Sequence, residues 1–271
     1  MSDAEQGSAP RQSATVVLLR DGTRGPEVLL VLRHARASFG ASYVFPGGVK
    51  EDCDAQVHER CYGTTDEIAS RKLGVNTGGL SFYSAAIREL FEETGILLAH
   101  RAGNGDELVQ VTDNDCDAER NELNNGDLLW PDFLADRQLS LACDALHYFA
   151  FWVTPRVSRK RFSTRFFMAA MPCGQLACHD GAELTDSCWM RPKDALAAAA
   201  VDEMLLPPPT RKTLQELSGF TSVAGALGWA GEQESAGVGC ILPAILGPRN
   251  EQRIVLPGNP DYPADHRGQE A

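Results

Sequence analysis

The chain has 271 residues, 43% of them hydrophobic, and a formal net charge of −12 at pH 7. That length buries one good core, so a single domain over residues 13–263 is expected between a disordered tail over 1–12 and a short tail over 264–271. The acidity argues against a nucleic-acid partner, whose binding needs Lys and Arg to neutralise phosphates, and equally against an anionic membrane surface.

Residues 14–19 are apolar and β-rich, Asp21-Gly22 is a turn signal and 28–32 is a second such run, which predicts a β-hairpin. Arg33-His34-Ala35-Arg36 follows as a basic patch. Val44-Phe45 is a short strand entering Pro46-Gly47-Gly48, a loop whose glycines let backbone approach a ligand closely. Residues 55–83 carry scattered charges and glycines, with one helix expected over 66–73. An acidic helix then runs from Ser84, a candidate N-cap, to Gly95, which supplies a positive-φ stop. Residues 96–99 are apolar. The polar stretch over 100–140 is a second excursion with short helices expected over 119–124 and 128–134. Residues 148–153 read as a strand ended by Thr154-Pro155. Residues 161–170 alternate, with Arg161, Ser163, Arg165 and Phe167 on one face. A strand over 184–190, helices over 193–200 and 210–217, and paired late strands over 240–246 and 253–256 complete the chain. Strands interrupted by a few helices give an α/β class with a mixed sheet.

Eight cysteines are scattered without a CxxC pair, so reduced thiols in a reducing compartment are expected. The polar opening Met1-Ser2-Asp3-Ala4-Glu5-Gln6 and the ending Gln269-Glu270-Ala271 match no leader or peroxisomal signal. A cytoplasmic protein without a membrane partner is the expectation. Oligomeric state is left open, a homodimer being one option.

The chemistry concentrates in Arg88-Glu89-Leu90-Phe91-Glu92-Glu93-Thr94-Gly95-Ile96. On a helix the i, i+3 and i+4 spacing puts Glu89, Glu92 and Glu93 on one face. Carboxylates at that spacing repel by roughly 1 kcal/mol even at the dielectric of water, so gathering three costs stability unless a cation binds. Mg²⁺ or Mn²⁺ is the natural occupant, being hard and suited to carboxylate oxygen and substrate phosphate. Arg88, four residues before Glu92, can orient that carboxylate. A solvated acidic face is the alternative.

Together the loop and the helix resemble the box of the Nudix hydrolase superfamily. Its second half is matched at every fixed position from Arg88 to Ile96, and its first half by Gly48, five residues, then Asp54 where the family has Glu. Thirty-three residues separate Asp54 from Arg88, so an insert over 55–83 interrupts the box. That insert, with Trp152-Val153-Thr154-Pro155, Arg161-Phe162-Ser163-Thr164-Arg165-Phe166-Phe167, Leu206-Pro207-Pro208-Pro209-Thr210 and Leu256-Pro257-Gly258-Asn259-Pro260, is similar to a long-insert branch containing a peroxisomal coenzyme A diphosphatase. Members of that branch more often carry Asp where Ser163 stands.

The resemblance implies a Nudix fold, a mixed sheet sandwiched between helices, and metal-assisted hydrolysis of a nucleoside diphosphate linked to another moiety. It implies Mg²⁺ or Mn²⁺ held by Glu89, Glu92, Glu93 and the Gly48 carbonyl. The proton acceptor would come from this helix or from a later loop, where Glu183 is the candidate and a surface strand cap the alternative. Arg33 and Gly47 belong to the substrate side. Arg161 and Arg165 either clamp phosphate or lie on the surface. Coenzyme A or its acyl thioester is the leading substrate, with ADP-ribose, a nucleotide sugar, a dinucleoside polyphosphate or a non-catalytic nucleotide-binding module as alternatives. The insert is expected to restrict the substrate and to be removable without harm to the chemistry.

Overall fold

Alternation of apolar side chains between two buried faces sets the centre of the molecule. In the computed structural model, which describes residues 9–33, 41–101, 104–110, 116–178, 184–248 and 251–264, strand β1 (Arg11–Gly22) sends Val16 and Leu18 to one core and Val17 and Leu19 to another. It turns through Gly25 into β2 (Gly25–Arg33), forming the expected hairpin. β1 begins at Arg11 because a parallel partner strand offers Phe162 opposite it, so extended structure reaches into the stretch expected as tail.

The chain continues through β3 (Ser42–Val44), β4 (Gly47–Val49), α1 (Asp52–Ala55), β5 (Cys61–Tyr62), α2 (Asp66–Leu73) and α3 (Leu80–Thr94). Next come β6 (Ala99–Arg101), β7 (Asn104–Leu108), α4 (Asp117–Asn125), α5 (Trp130–Asp136), β8 (Leu139–Ala142), β9 (His147–Val153) and β10 (Phe162–Ala170). Last are β11 (Leu184–Met190), α6 (Pro192–Ala200), α7 (Pro208–Leu217), α8 (Val223–Ala236), β12 (Cys240–Ile241), β13 (Ala244–Leu246) and β14 (Arg253–Val255).

The large sheet runs β11-β2-β1-β10-β9-β12, with β3 beside β2 and β4 beside β1. It is mixed: β1 and β10 are parallel, as are β9 and β12, while β1–β2 and β9–β10 are antiparallel. Ile87, Leu90 and Phe91 of α3 pack with one face, and Ala195, Leu214 and Ala226 of α6, α7 and α8 pack with the other. This is the α/β sandwich that the resemblance implies.

Helix α8 and a second sheet are among the features not expected. α8 contains Gly225, Gly228 and Gly231, each disfavouring a helix by about 1 kcal/mol. Burial of Val223, Ala226 and Ala230 beside Phe149 and Trp152 overrides that preference. A second sheet, β5-β8-β6-β7, joins strands from the insert and from the second excursion, pairing Cys61 with Leu141. Pairing across eighty positions of sequence leaves no local signal.

The box helix starts at Leu80, not at Ser84. Ser84 is fully buried, and the first turn is capped from α2 instead. Asp66 accepts hydrogen bonds from the Gly78 and Leu80 N–H groups, each at 2.9 Å, and Ser70 Oγ accepts from Gly79 N–H at 2.9 Å. A Cβ on Gly79 would stand 2.2 Å from the Ser70 nitrogen, so glycine permits the approach. Burial opposes ionisation of Asp66, but these N–H groups hold its carboxyl below the usual range. The insert is therefore part of the scaffold: Val57, Ala69, Leu73 and Phe82 share the core with α3 and β1.

Candidate active site

β4 brings the double glycine to the acidic helix. It pairs antiparallel with the start of β1, setting Gly48 against Ala14 and Gly47 against Thr15. A Cβ on Gly48 would stand 2.3 Å from Glu89 Oε2, so only glycine lets that carboxylate lie against the loop. Gly47 donates its N–H to Glu93 Oε2 at 2.8 Å, and Arg33 Nη2 stands 4.0 Å from Glu93 Oε1.

Arg88 is the hub. Its Nε and Nη2 grip fully buried Asp54 at 3.2 and 3.1 Å, and Nη2 also donates to the Val49 carbonyl at 2.9 Å. Its Nη1 reaches Glu89 Oε1 at 3.1 Å and Glu92 Oε2 at 2.8 Å, the i, i+4 contact expected from spacing. Asp54 is a carboxylate anchor, bound through Arg88, the Glu51 N–H at 2.8 Å and Ser84 Oγ at 2.8 Å. At the other end of α3, Arg120 Nε and Asn124 Nδ2 donate to the Glu92 carbonyl at 2.9 and 3.2 Å. These excursion residues were not picked out from sequence, where nothing distinguishes them from other polar positions.

Four carboxylates, Asp54, Glu89, Glu92 and Glu93, thus face two guanidinium groups, Arg88 and Arg33. Burial pushes Glu89 up to about 7, with Arg88 opposing and Glu92 reinforcing the rise. Burial raises Glu92 as well. Although burial works against it, Asp54, Glu89 and Glu92 hold Arg88 firmly charged. Among the described residues no three His, Cys, Asp or Glu side chains converge as a metal cage, since Glu89 and Glu92 turn to Arg88 and Glu93 to Gly47. The donor chemistry nevertheless fits a hard divalent cation: partly desolvated carboxylate oxygens gathered on one helix face.

The other candidates stand elsewhere. Arg161 donates through Nε to the Thr154 carbonyl at 3.2 Å. Arg165 lies in the core, 6% exposed, and is no surface arginine: β10 is central and buried on both faces. Its Nη1 donates to Ser163 Oγ at 3.0 Å and its Nη2 to the Leu73 carbonyl at 3.2 Å, with the guanidinium 3.5 Å from the Phe151 ring centroid. That packing leaves little of it for a phosphate to reach. Glu183, and His34 to Arg36 of the basic patch, lie outside the described residues.

The Glu89 shift predicts a pH response. A carboxyl whose folded pKa exceeds its unfolded value contributes stability that is full below the unfolded pKa and lost as pH rises through about 7. From pH 6 to pH 8 the loss is about 1 kcal/mol, or about 2–4 °C in Tm for a chain of this size. Thermal melts in EDTA at both pH values, for wild type and Glu89→Gln, test this. An equal or larger gap in the variant would assign the effect to other groups.

A mixed sheet between helices, with this box on α3 and its double glycine on β4, defines a Nudix hydrolase. The family model described as the NUDT19 Nudix domain matches residues 65–217, more than half of the chain, and the chain belongs to that family. It is 26% identical to the acyl-coenzyme A diphosphatase NUDT19 of Xenopus laevis, over 91% of this chain and 74% of that protein. It is 27% identical to putative nudix hydrolase 7 of Caenorhabditis elegans, spanning 78% of this chain and 61% of that one. The crystal structure of a NUDIX hydrolase from Alicyclobacillus acidocaldarius superposes with a TM-score of 0.69 at 25% identity, covering 82% of this chain and 96% of the other.

Proposed function

We propose that this hydrolase cleaves the diphosphate linkage of coenzyme A or acyl-coenzyme A in a reaction that requires Mg²⁺ or Mn²⁺. The observation that carries the metal requirement is the gathering of Glu89, Glu92 and Glu93 on one stripe of α3 against the Gly47-Gly48 turn. The substrate reading is supported by the name of the Xenopus laevis relative, acyl-coenzyme A diphosphatase.

Glu89, Glu92, Glu93 and the Gly48 carbonyl would hold the ion. When bound, it supplies Lewis acidity toward the phosphoryl oxygens and lowers the pKa of a bound water. The chain's own residues do the positioning. Arg88 fixes the rotamers of Glu89 and Glu92 while anchored to Asp54, and the Gly47 N–H fixes Glu93. Arg33, about a third exposed beside Glu93, would meet a phosphate of the substrate. The proton acceptor for the attacking water is a box carboxylate or Glu183.

Product analysis by mass spectrometry tests this, using purified protein with Mg²⁺ or Mn²⁺ and a panel of coenzyme A, an acyl-coenzyme A, ADP-ribose, a nucleotide sugar and a dinucleoside polyphosphate. Adenosine 3′,5′-bisphosphate and a phosphopantetheine product are expected. Preferential turnover of ADP-ribose or another compound would replace the substrate; no turnover of any would favour a nucleotide-binding module.

A further inference from the structure

Trp130 follows Leu128-Leu129 in the sequence, an apolar context in which a tryptophan is ordinarily a core residue. It is 2% exposed on α5 and stacks on Phe133, with centroids 5.6 Å apart and planes at 18°. Its indole Nε1, however, is 3.1 Å from Ser84 Oγ, and Ser84 Oγ is 2.8 Å from Asp54 Oδ1. The direction of this chain is forced. An indole N–H only donates and an ionised carboxylate only accepts, so Ser84 must accept from Trp130 and give its one proton to Asp54. A helical serine otherwise has the option of bonding the carbonyl four residues back.

We propose that Trp130 and Ser84 are positioning residues for the metal-binding carboxylates, acting through Asp54 and Arg88; this rests on the function proposed above. Asp54 has no freedom to turn, because Oδ1 receives Ser84 Oγ and Arg88 Nε while Oδ2 receives the Glu51 N–H and Arg88 Nη2. Arg88, gripped by two of its nitrogens, has Nη1 left in one place for Glu89 and Glu92. Without the hydroxyl, Oδ1 keeps a single donor and the fork can pivot. Glu89 and Glu92 then lose the rotamers in which an ion meets them. Trp130 comes from the second excursion, so a segment outside the box sets the geometry within it.

The test combines kinetics with a readout that needs no turnover. In ¹H–¹⁵N spectra the Trp130 indole resonance, one of four tryptophans, is assigned with Trp130→Phe, which retains a ring in the stack. Adding Mg²⁺ should move this resonance in wild type and leave it in place in Ser84→Ala. Trp130→Phe and Ser84→Ala should each lower kcat and raise the half-saturating Mg²⁺ concentration roughly tenfold, the usual cost of losing a partner behind a metal ligand. KM for the organic substrate should hold. The double variant should be no worse than the poorer single, since the indole acts only through the hydroxyl. An indole resonance indifferent to Mg²⁺, additive losses, or a raised KM at unchanged kcat would overturn the proposal. Should Ser84→Ala fail to fold, Trp130→Phe carries the kinetic comparison and the wild-type indole shift on adding Mg²⁺ carries the spectroscopic one. If the resonance responds to Mg²⁺ through Ser84 yet no diphosphate is hydrolysed, the relay stands and the proposed reaction falls.

Discussion

Glu92→Gln and Glu93→Gln should each lower turnover by about 100-fold or more, the scale of losing one electrostatic partner of the transition state, while the fold stays intact. Both changes are isosteric. A glutamine oxygen at position 92 still accepts from Arg88 Nη1, and one at position 93 still accepts from the Gly47 N–H. What disappears is one carboxylate from a cluster of like charges on one helix face. Metal-free variants should accordingly melt slightly higher than wild type, by relief of like-charge repulsion, and gain less from added Mg²⁺. Steady-state rates with Mg²⁺ and melts with and without it provide the check. Wild-type turnover in both variants, or full wild-type activity in EDTA, would remove these carboxylates from the mechanism.

Replacing residues 57–82 by a short Gly-Ser link should abolish cooperative folding. Sequence alone suggested the opposite, because long surface loops close cheaply and both halves of the box survive around the insert. Val57, Leu73, Leu80 and Phe82 are each at most 3% exposed and belong to the main core. Each contributes about 1.5–3 kcal/mol by burial, against a total stability of about 5–15 kcal/mol for a domain. The replacement also removes the first turn of α3, the Asp66 cap on that turn and the Leu73 carbonyl that receives Arg165. Circular dichroism melts of the replaced chain should show no sharp transition. A milder probe separates the cap from the core: Asp66→Ala should lower Tm by a few degrees, about 1 kcal/mol being typical for a lost cap. A cooperative melt near the wild-type Tm in the replaced chain would return the insert to the status of a surface loop.

The sequence by itself determined the elements whose signals are local. The apolar β-rich runs over 14–19 and 28–32, the turn between them and the i, i+3, i+4 stripe of Glu89, Glu92 and Glu93 depend only on composition and on neighbours within a turn. They reappear as β1, β2 and the acidic face of α3. The Arg88 to Glu92 contact was readable for the same reason. What only the tertiary structure decided are partnerships between residues far apart in the chain. Asp66 rather than Ser84 caps α3, because α2 folds back onto that turn and outcompetes a serine whose hydroxyl is committed to Asp54. Arg165 alternates on β10 as a surface residue would, yet β1 and β9 flank that strand and both of its faces are covered, so its charge is housed against Phe151. α8 forms despite three glycines because a sheet face needs cover. Pattern within a segment reports which way side chains point; whether that side meets water, a carboxylate or an aromatic ring depends on which distant segment packs there.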